Sequence, residues 1–130
     1  MRKYEYVGCF FDCNDFFNLM APLRKNPLKN NKTKPHVTFK YNPVEVSTEL
    51  FGTEINVTIN GYGNNGENEG VSVTLTSNNE IINKMIAQIE VPHITLAVSD
   101  NGQAVNTRYL EFVDIEPLQI VGKYGGHQDI

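Results

Sequence analysis

The chain has 130 residues, 40% of them apolar and 20% charged, which supports one packed domain over 1–130 and excludes general disorder. Its net charge of −4 and pI of about 5.3 argue against a long footprint on duplex DNA or RNA, though not against a small nucleotide or an RNA end. No apolar run reaches the roughly 18 residues of a membrane span, and Met1-Arg2-Lys3-Tyr4-Glu5-Tyr6 leads into no apolar signal core, so neither membrane nor secretory export is expected.

Residues 4–11 are rich in aromatic and apolar side chains on both alternating faces and read as a central strand. Asn14 or Asp15 is positioned to cap a helix through Phe16, Phe17, Leu19, Met20 and Leu23, which Pro22 and Pro27 limit. Residues 25–34 form a polar loop with the only basic cluster, Lys25, Lys29, Lys32 and Lys34. A strand follows over 35–41; residues 44–50 are ambiguous. Residues 54–61 alternate as a half-buried strand, 61–70 read as a turn-rich tip and 71–75 as the returning strand, together a hairpin with a long tip. That tip lacks the Lys-Ser/Thr of a phosphate-binding loop and reads as a solvated turn or a lid.

Asn78 or Asn79 caps a second helix whose Ile81, Ile82, Met85, Ile86 and Ile89 share one face. Strands are expected over 93–98, 109–113 and 118–124, with the last closing before Gly125-Gly126 and leaving His127 in a tail. The mixture predicts an α+β fold: a mainly antiparallel sheet in two pseudo-symmetric halves around a central cleft, with about two helices on the outer side. The two cysteines, Cys9 and Cys13, lack the second pair of a zinc site and read as reduced residues of a cytoplasmic protein.

Two segments repeat each other: Pro35-His36-Val37-Thr38-Phe39 and Pro92-His93-Ile94-Thr95-Leu96. Each follows a strand and a helix. Side chains alternate along a strand, so His36 and Thr38 share one face, about 6.5 to 7 Å apart, while Val37 and Phe39 face the other. His93 and Thr95 repeat the arrangement. Two imidazoles and two hydroxyls on one cleft suit attack on a phosphodiester. One imidazole removes a proton, the other protonates the departing oxygen, and the threonines bind the non-bridging oxygens. The competing reading is a purely structural repeat.

The paired motifs resemble the signature of the 2H phosphoesterase superfamily, two His-x-Thr/Ser-hydrophobic segments. Its members include LigT-like RNA ligases and cyclic phosphodiesterases, and viral nucleases that degrade the cyclic nucleotide signals of antiviral defence. The resemblance implies a metal-independent, cofactor-free mechanism on 2′,3′-cyclic phosphates or 2′-5′/3′-5′ phosphodiesters, with His36, Thr38, His93 and Thr95 as the catalytic set. The chain looks shorter than many such enzymes and its motifs lie closer together, which favours a small cyclic nucleotide or oligonucleotide over long RNA. By the same resemblance, a viral enzyme acting in the host cytoplasm is expected. The alternatives are an enzyme for RNA 2′,3′-cyclic phosphate ends and an inactive module that sequesters a nucleotide. Four residues are further candidates for substrate binding: Tyr4 and Tyr6 to stack on a base, Lys40 to hold a phosphate, and Tyr124, beside Gly122, Gly125 and Gly126, where a ligand could approach closely.

Overall fold

A computed structural model of the protein describes residues 4–128. Within them, six strands form one antiparallel sheet, accompanied by two α-helices and two short 3₁₀ segments. The strands are β1 (Tyr6–Phe10), β2 (His36–Tyr41), β3 (Glu54–Asn64), β4 (Asn68–Thr76), β5 (His93–Val98) and β6 (Val113–His127). Their order across the sheet is β2-β1-β6-β3-β4-β5, so the two motif strands lie at opposite edges. Those edges nevertheless approach each other. Just before β2, Asn31 bridges Ala97 of β5, Lys32 N–H donates to Leu96 O at 2.8 Å, and Val98 N–H reaches Asn30 O at 3.4 Å. The sheet is therefore barrel-like, stitched at one end of the β2–β5 seam.

The apolar positions of the strands explain the layering. Val7 and Cys9, Val37, Ile55, Val57 and Ile59, Val71 and Val73, and Ile94 and Leu96 form one buried cluster. The helices α1 (Cys13–Met20) and α2 (Glu80–Ala87) complete it with Phe16, Met20 and Ile82. Each helix begins on a side-chain cap: Asp12 accepts from Asp15 N–H, and Asn79 accepts from Ile81 and Ile82 N–H. The first cap falls two residues before Asn14 and three before Asp15, the positions expected from the sequence, so Cys13 is the first helical residue. Cys9 is buried and its thiol is pushed up to about 12 by desolvation.

Three expectations are corrected. The tip expected over 61–70 is mostly strand: β3 runs to Asn64, β4 starts at Asn68, and Asn64 and Asn65 side chains cap the three-residue turn between them. A lid reading fails here because Tyr62, Asn68 and Glu69 are buried. The strand expected over 109–113 is absent: the 3₁₀ segment Ala104–Tyr109 ends at its first residue, residues 110–112 join no strand, and β6 begins at Val113. Finally, β6 is a single long strand through His127. Its pairing with β3 slips between Asp114 and Leu118, around Pro117, which has no N–H to give to the ladder.

Candidate active site

The two motif strands are held alike. Phe10 pairs with His36, Cys9 with Val37 and Gly8 with Thr38; then the register slips, leaving Phe39 unpaired before Lys40 meets Val7. On the other edge Ser72 pairs with His93, Val71 with Ile94 and Gly70 with Thr95, and the register slips again, leaving Leu96 unpaired before Ala97 meets Glu69. A glycine thus faces each motif threonine at a bulge. A Cβ on Gly8 would run into the Val37 carbonyl, and one on Gly70 would meet Thr107 and the Ile94 carbonyl. Both glycines permit a close backbone approach that no other residue allows.

The prolines set the imidazoles. Pro35 O accepts from Phe11 N–H and Pro92 O from Val73 N–H, which fastens the start of each motif to the neighbouring strand. The carbonyl one residue further back then meets the ring. His36 Nδ1 lies 2.7 Å from Lys34 O, and His93 Nδ1 lies 2.7 Å from Val91 O. A carbonyl only accepts, so each Nδ1 carries a proton and each neutral ring keeps its Nε2 lone pair available. A proline locks its own φ and biases the preceding residue towards extended backbone, so the carbonyl is in place before the histidine is.

One cavity of about 600 Å³ is lined by His36, Thr38, His93 and Thr95 together. That size suits a small-molecule ligand. Burial pushes both imidazoles below the usual histidine value. For His36 the Lys34 carbonyl opposes this, while Lys32, His127 and His93 add to it. For His93 the Val91 carbonyl opposes it and Arg108 adds to it. Burial thus favours the neutral form of both rings. Among the described residues no three His, Cys, Asp or Glu side chains group as metal ligands.

The two threonines differ. Thr95 Oγ1 lies 2.9 Å from Thr107 Oγ1 and 3.4 Å from Ala104 O, whereas Thr38 faces the cavity. Thr107 is fully buried and accepts from Asn68 Nδ2 at 3.0 Å. A hydroxyl oxygen has two lone pairs, so Thr107 accepts from both Asn68 Nδ2 and Thr95 Oγ1, and the Thr95 proton must swing away from Thr107 to reach a ligand.

The four expected binding residues separate. Lys40 lines the cavity and is exposed, but the bulge at Phe39 breaks the simple alternation that related it to Thr38. Tyr6 also lines it, yet is only 7% exposed, packed at 4.5 Å from His36 and 5.1 Å from His127 in near-parallel stacks. It braces the His36 ring instead of offering a face to a base, and desolvation, aided by Tyr41 and Glu5, pushes its phenol up to about 12. Tyr4 packs edge-on against Phe51 at 5.5 Å and lines a separate depression. Tyr124 belongs to the core: it is 3% exposed, stacks on Phe39 and donates to Met85 Sδ. The glycines beside it do not open it to a ligand, because it pairs with Cys9 and shares that residue's core-facing side. His127, read from the sequence as tail, lines the cavity, as do Lys32, Lys34 and Arg108. The signal for His127 was the alternation Lys123, Gly125, His127, which continues β6 past the two glycines.

The half-buried imidazoles make stability depend on pH. Their folded values lie below the unfolded value of about 6.5, so the unfolded chain takes up protons first. The contribution is complete above that pH and is lost as pH falls below it. The melting temperature is expected to drop between pH 7.5 and 5.5, and a His36→Gln/His93→Gln variant is expected to show a shallower drop. Thermal unfolding of both proteins across that range checks this; parallel curves refute it.

No protein-family model matches the sequence, and no curated protein matches it significantly.

Proposed function

We propose that this protein is a metal-independent phosphodiesterase that cleaves a small cyclic nucleotide or oligonucleotide by His/His acid–base catalysis. The observation that carries the reading is the matched pair of histidines on one cavity, each with Nδ1 on the carbonyl two residues upstream and Nε2 left to react. One imidazole accepts the proton of the attacking hydroxyl or water. The other enters protonated and gives its proton to the departing oxygen. Thr38 and Thr95 donate to the non-bridging oxygens as charge builds.

The placement of the two motif strands at opposite edges of the sheet and the matching bulges support two pseudo-symmetric halves that meet in a cleft, the arrangement implied by the resemblance to 2H phosphoesterases. A viral enzyme acting on defence signals in a host cytoplasm fits that resemblance. Lys32 and Lys34, which bring the basic loop into the cavity, favour a second reading: cleavage at RNA 2′,3′-cyclic phosphate ends.

The test is turnover in the presence of EDTA, with cyclic dinucleotides, cyclic trinucleotides and nucleoside 2′,3′-cyclic phosphates as substrates. Cleavage of at least one is expected, and which one names the class. A folded protein that binds a nucleotide and turns none over would instead be a sequestering module.

A further inference from the structure

We propose that Lys34 and His127 form a second anion position beside the two-histidine centre, which takes a phosphate other than the one undergoing cleavage. This rests on the reading of the cavity as a phosphodiesterase site and specifies its substrate as one carrying at least two phosphates.

Lys34 and His127 line the main cavity and also the adjoining depression that contains Tyr4 and Phe51. They therefore stand where a ligand leaving the histidine centre would pass. Lys34 Nζ lies 3.5 Å from His127 Nδ1, at the far end of hydrogen-bond range. An ammonium only donates, so Nδ1 is the acceptor and the ring proton sits on Nε2. The pair thus presents an ammonium and an imidazole N–H, two donors suited to a phosphate oxygen.

His127 is fixed in place. Its ring stacks on Tyr6, which stacks on His36, and its carbonyl accepts from Glu5 N–H at 2.7 Å. Lys34 is fixed to the same centre through its own carbonyl, which holds His36 Nδ1. The second anion position is built into the frame that orients the first imidazole.

The charge is one-sided. Lys34 and Lys40 line the cavity on the β1–β2 side, Lys32 acts on His36 from the seam where its N–H meets Leu96, and the carboxylate beside them is Glu5. On the far side the cation is Arg108, already paired with Glu90 at 3.0 Å. The residue that matches Lys34 in the second motif is Val91. The pseudo-symmetry of the centre is broken here, which gives the extra phosphate one preferred side and the substrate one orientation.

The test compares binding of two probes, ApA, with one phosphate, and pApA, which adds a 5′-phosphate. Titration calorimetry is run on wild type, Lys34→Met and His127→Phe. Methionine keeps the stem of Lys34 without its charge, and phenylalanine keeps a ring on Tyr6 without its nitrogens. Wild type is expected to bind pApA about tenfold more tightly than ApA, or better. That ratio is expected to fall toward one in both variants, and Lys34→Met to reduce the salt dependence of pApA binding by about one charge. Equal affinity of wild type for the two probes, or a ratio that survives both substitutions, overturns the proposal. Cleavage is followed on the same samples. A preference for pApA that depends on Lys34 and His127, without cleavage of either probe, upholds the anion position and counts against the phosphodiesterase reading. Cleavage of both probes with equal affinity does the reverse.

Discussion

Replacing His36 or His93 by alanine lowers kcat by about 10² to 10⁴ on the substrate that the turnover panel identifies, the range that a positioned proton transfer supplies. Neither ring belongs to the buried apolar cluster, so both variants are expected to fold. The effects do not add: a base and an acid that act in one step are each useless alone, so the double variant falls little further than the worse single one. The pH–rate profile separates the roles. Loss of the base removes the rise on the acid side, and loss of the acid removes the fall on the alkaline side. His36 stacks on Tyr6 and feels Lys32 and His127, whereas His93 feels Arg108, so the two limbs belong to rings in different surroundings. Steady-state kinetics across pH, with circular dichroism to confirm folding, checks this. Undiminished turnover in either variant would mean that the chemistry lies elsewhere.

The motif strands were legible because the chemistry and the pleat share a period of two. Within each motif, residues that alternate faces also alternate between polar and apolar, and the structure pairs them in one register on both edges. What the sequence hid were features that break the period. The bulges at Phe39 and Leu96 insert a residue without any mark in composition. Pro117 divides β6 into two apparent strands, although the ladder resumes on both sides of it. His127 looked like tail because two glycines precede it. In the structure they continue the strand, and Gly126 packs against the Tyr4 ring. Tyr6, a candidate to stack on a base, and Tyr124, a candidate for its neighbouring glycines, both looked open to a ligand, and only the face each occupies separates a core side chain from a cavity wall.

Glu69 was equally invisible, a lone carboxylate in a segment read as a solvated tip. It is fully buried and accepts from Arg24 Nε at 2.8 Å, a second Arg24 nitrogen at 2.6 Å, Tyr62 Oη at 2.7 Å and Leu28 N–H at 3.0 Å. Burial would raise its carboxyl, but Arg24, Tyr62 and the Leu28 N–H outweigh that and hold it below the usual carboxylate value. With Arg24 side chain 9% exposed and Glu69 at 0%, solvent screens the pair little. Arg24→Met strands a buried charge and is expected to cost about 3–5 kcal/mol. That is a fall in melting temperature on the order of 10–20 °C for a domain of this size. The reason is the missing partner more than the worth of the pair, so Arg24→Met/Glu69→Leu should recover a large part of the loss. The consequence also reaches the cavity. Arg24 and Leu28 tie the loop that leads to Asn31, whose bridge to Ala97 stitches the β2–β5 seam next to His36. A loosened seam lets the two imidazoles drift, and a misplacement of about 1 Å is enough to cost roughly a hundredfold in rate. Chemical denaturation of wild type and the two variants, with turnover measured at a temperature where each is folded, tests both parts. A single variant as stable as wild type would remove the pair from the frame of the site, and a double variant no better than the single would assign the loss to packing instead of charge.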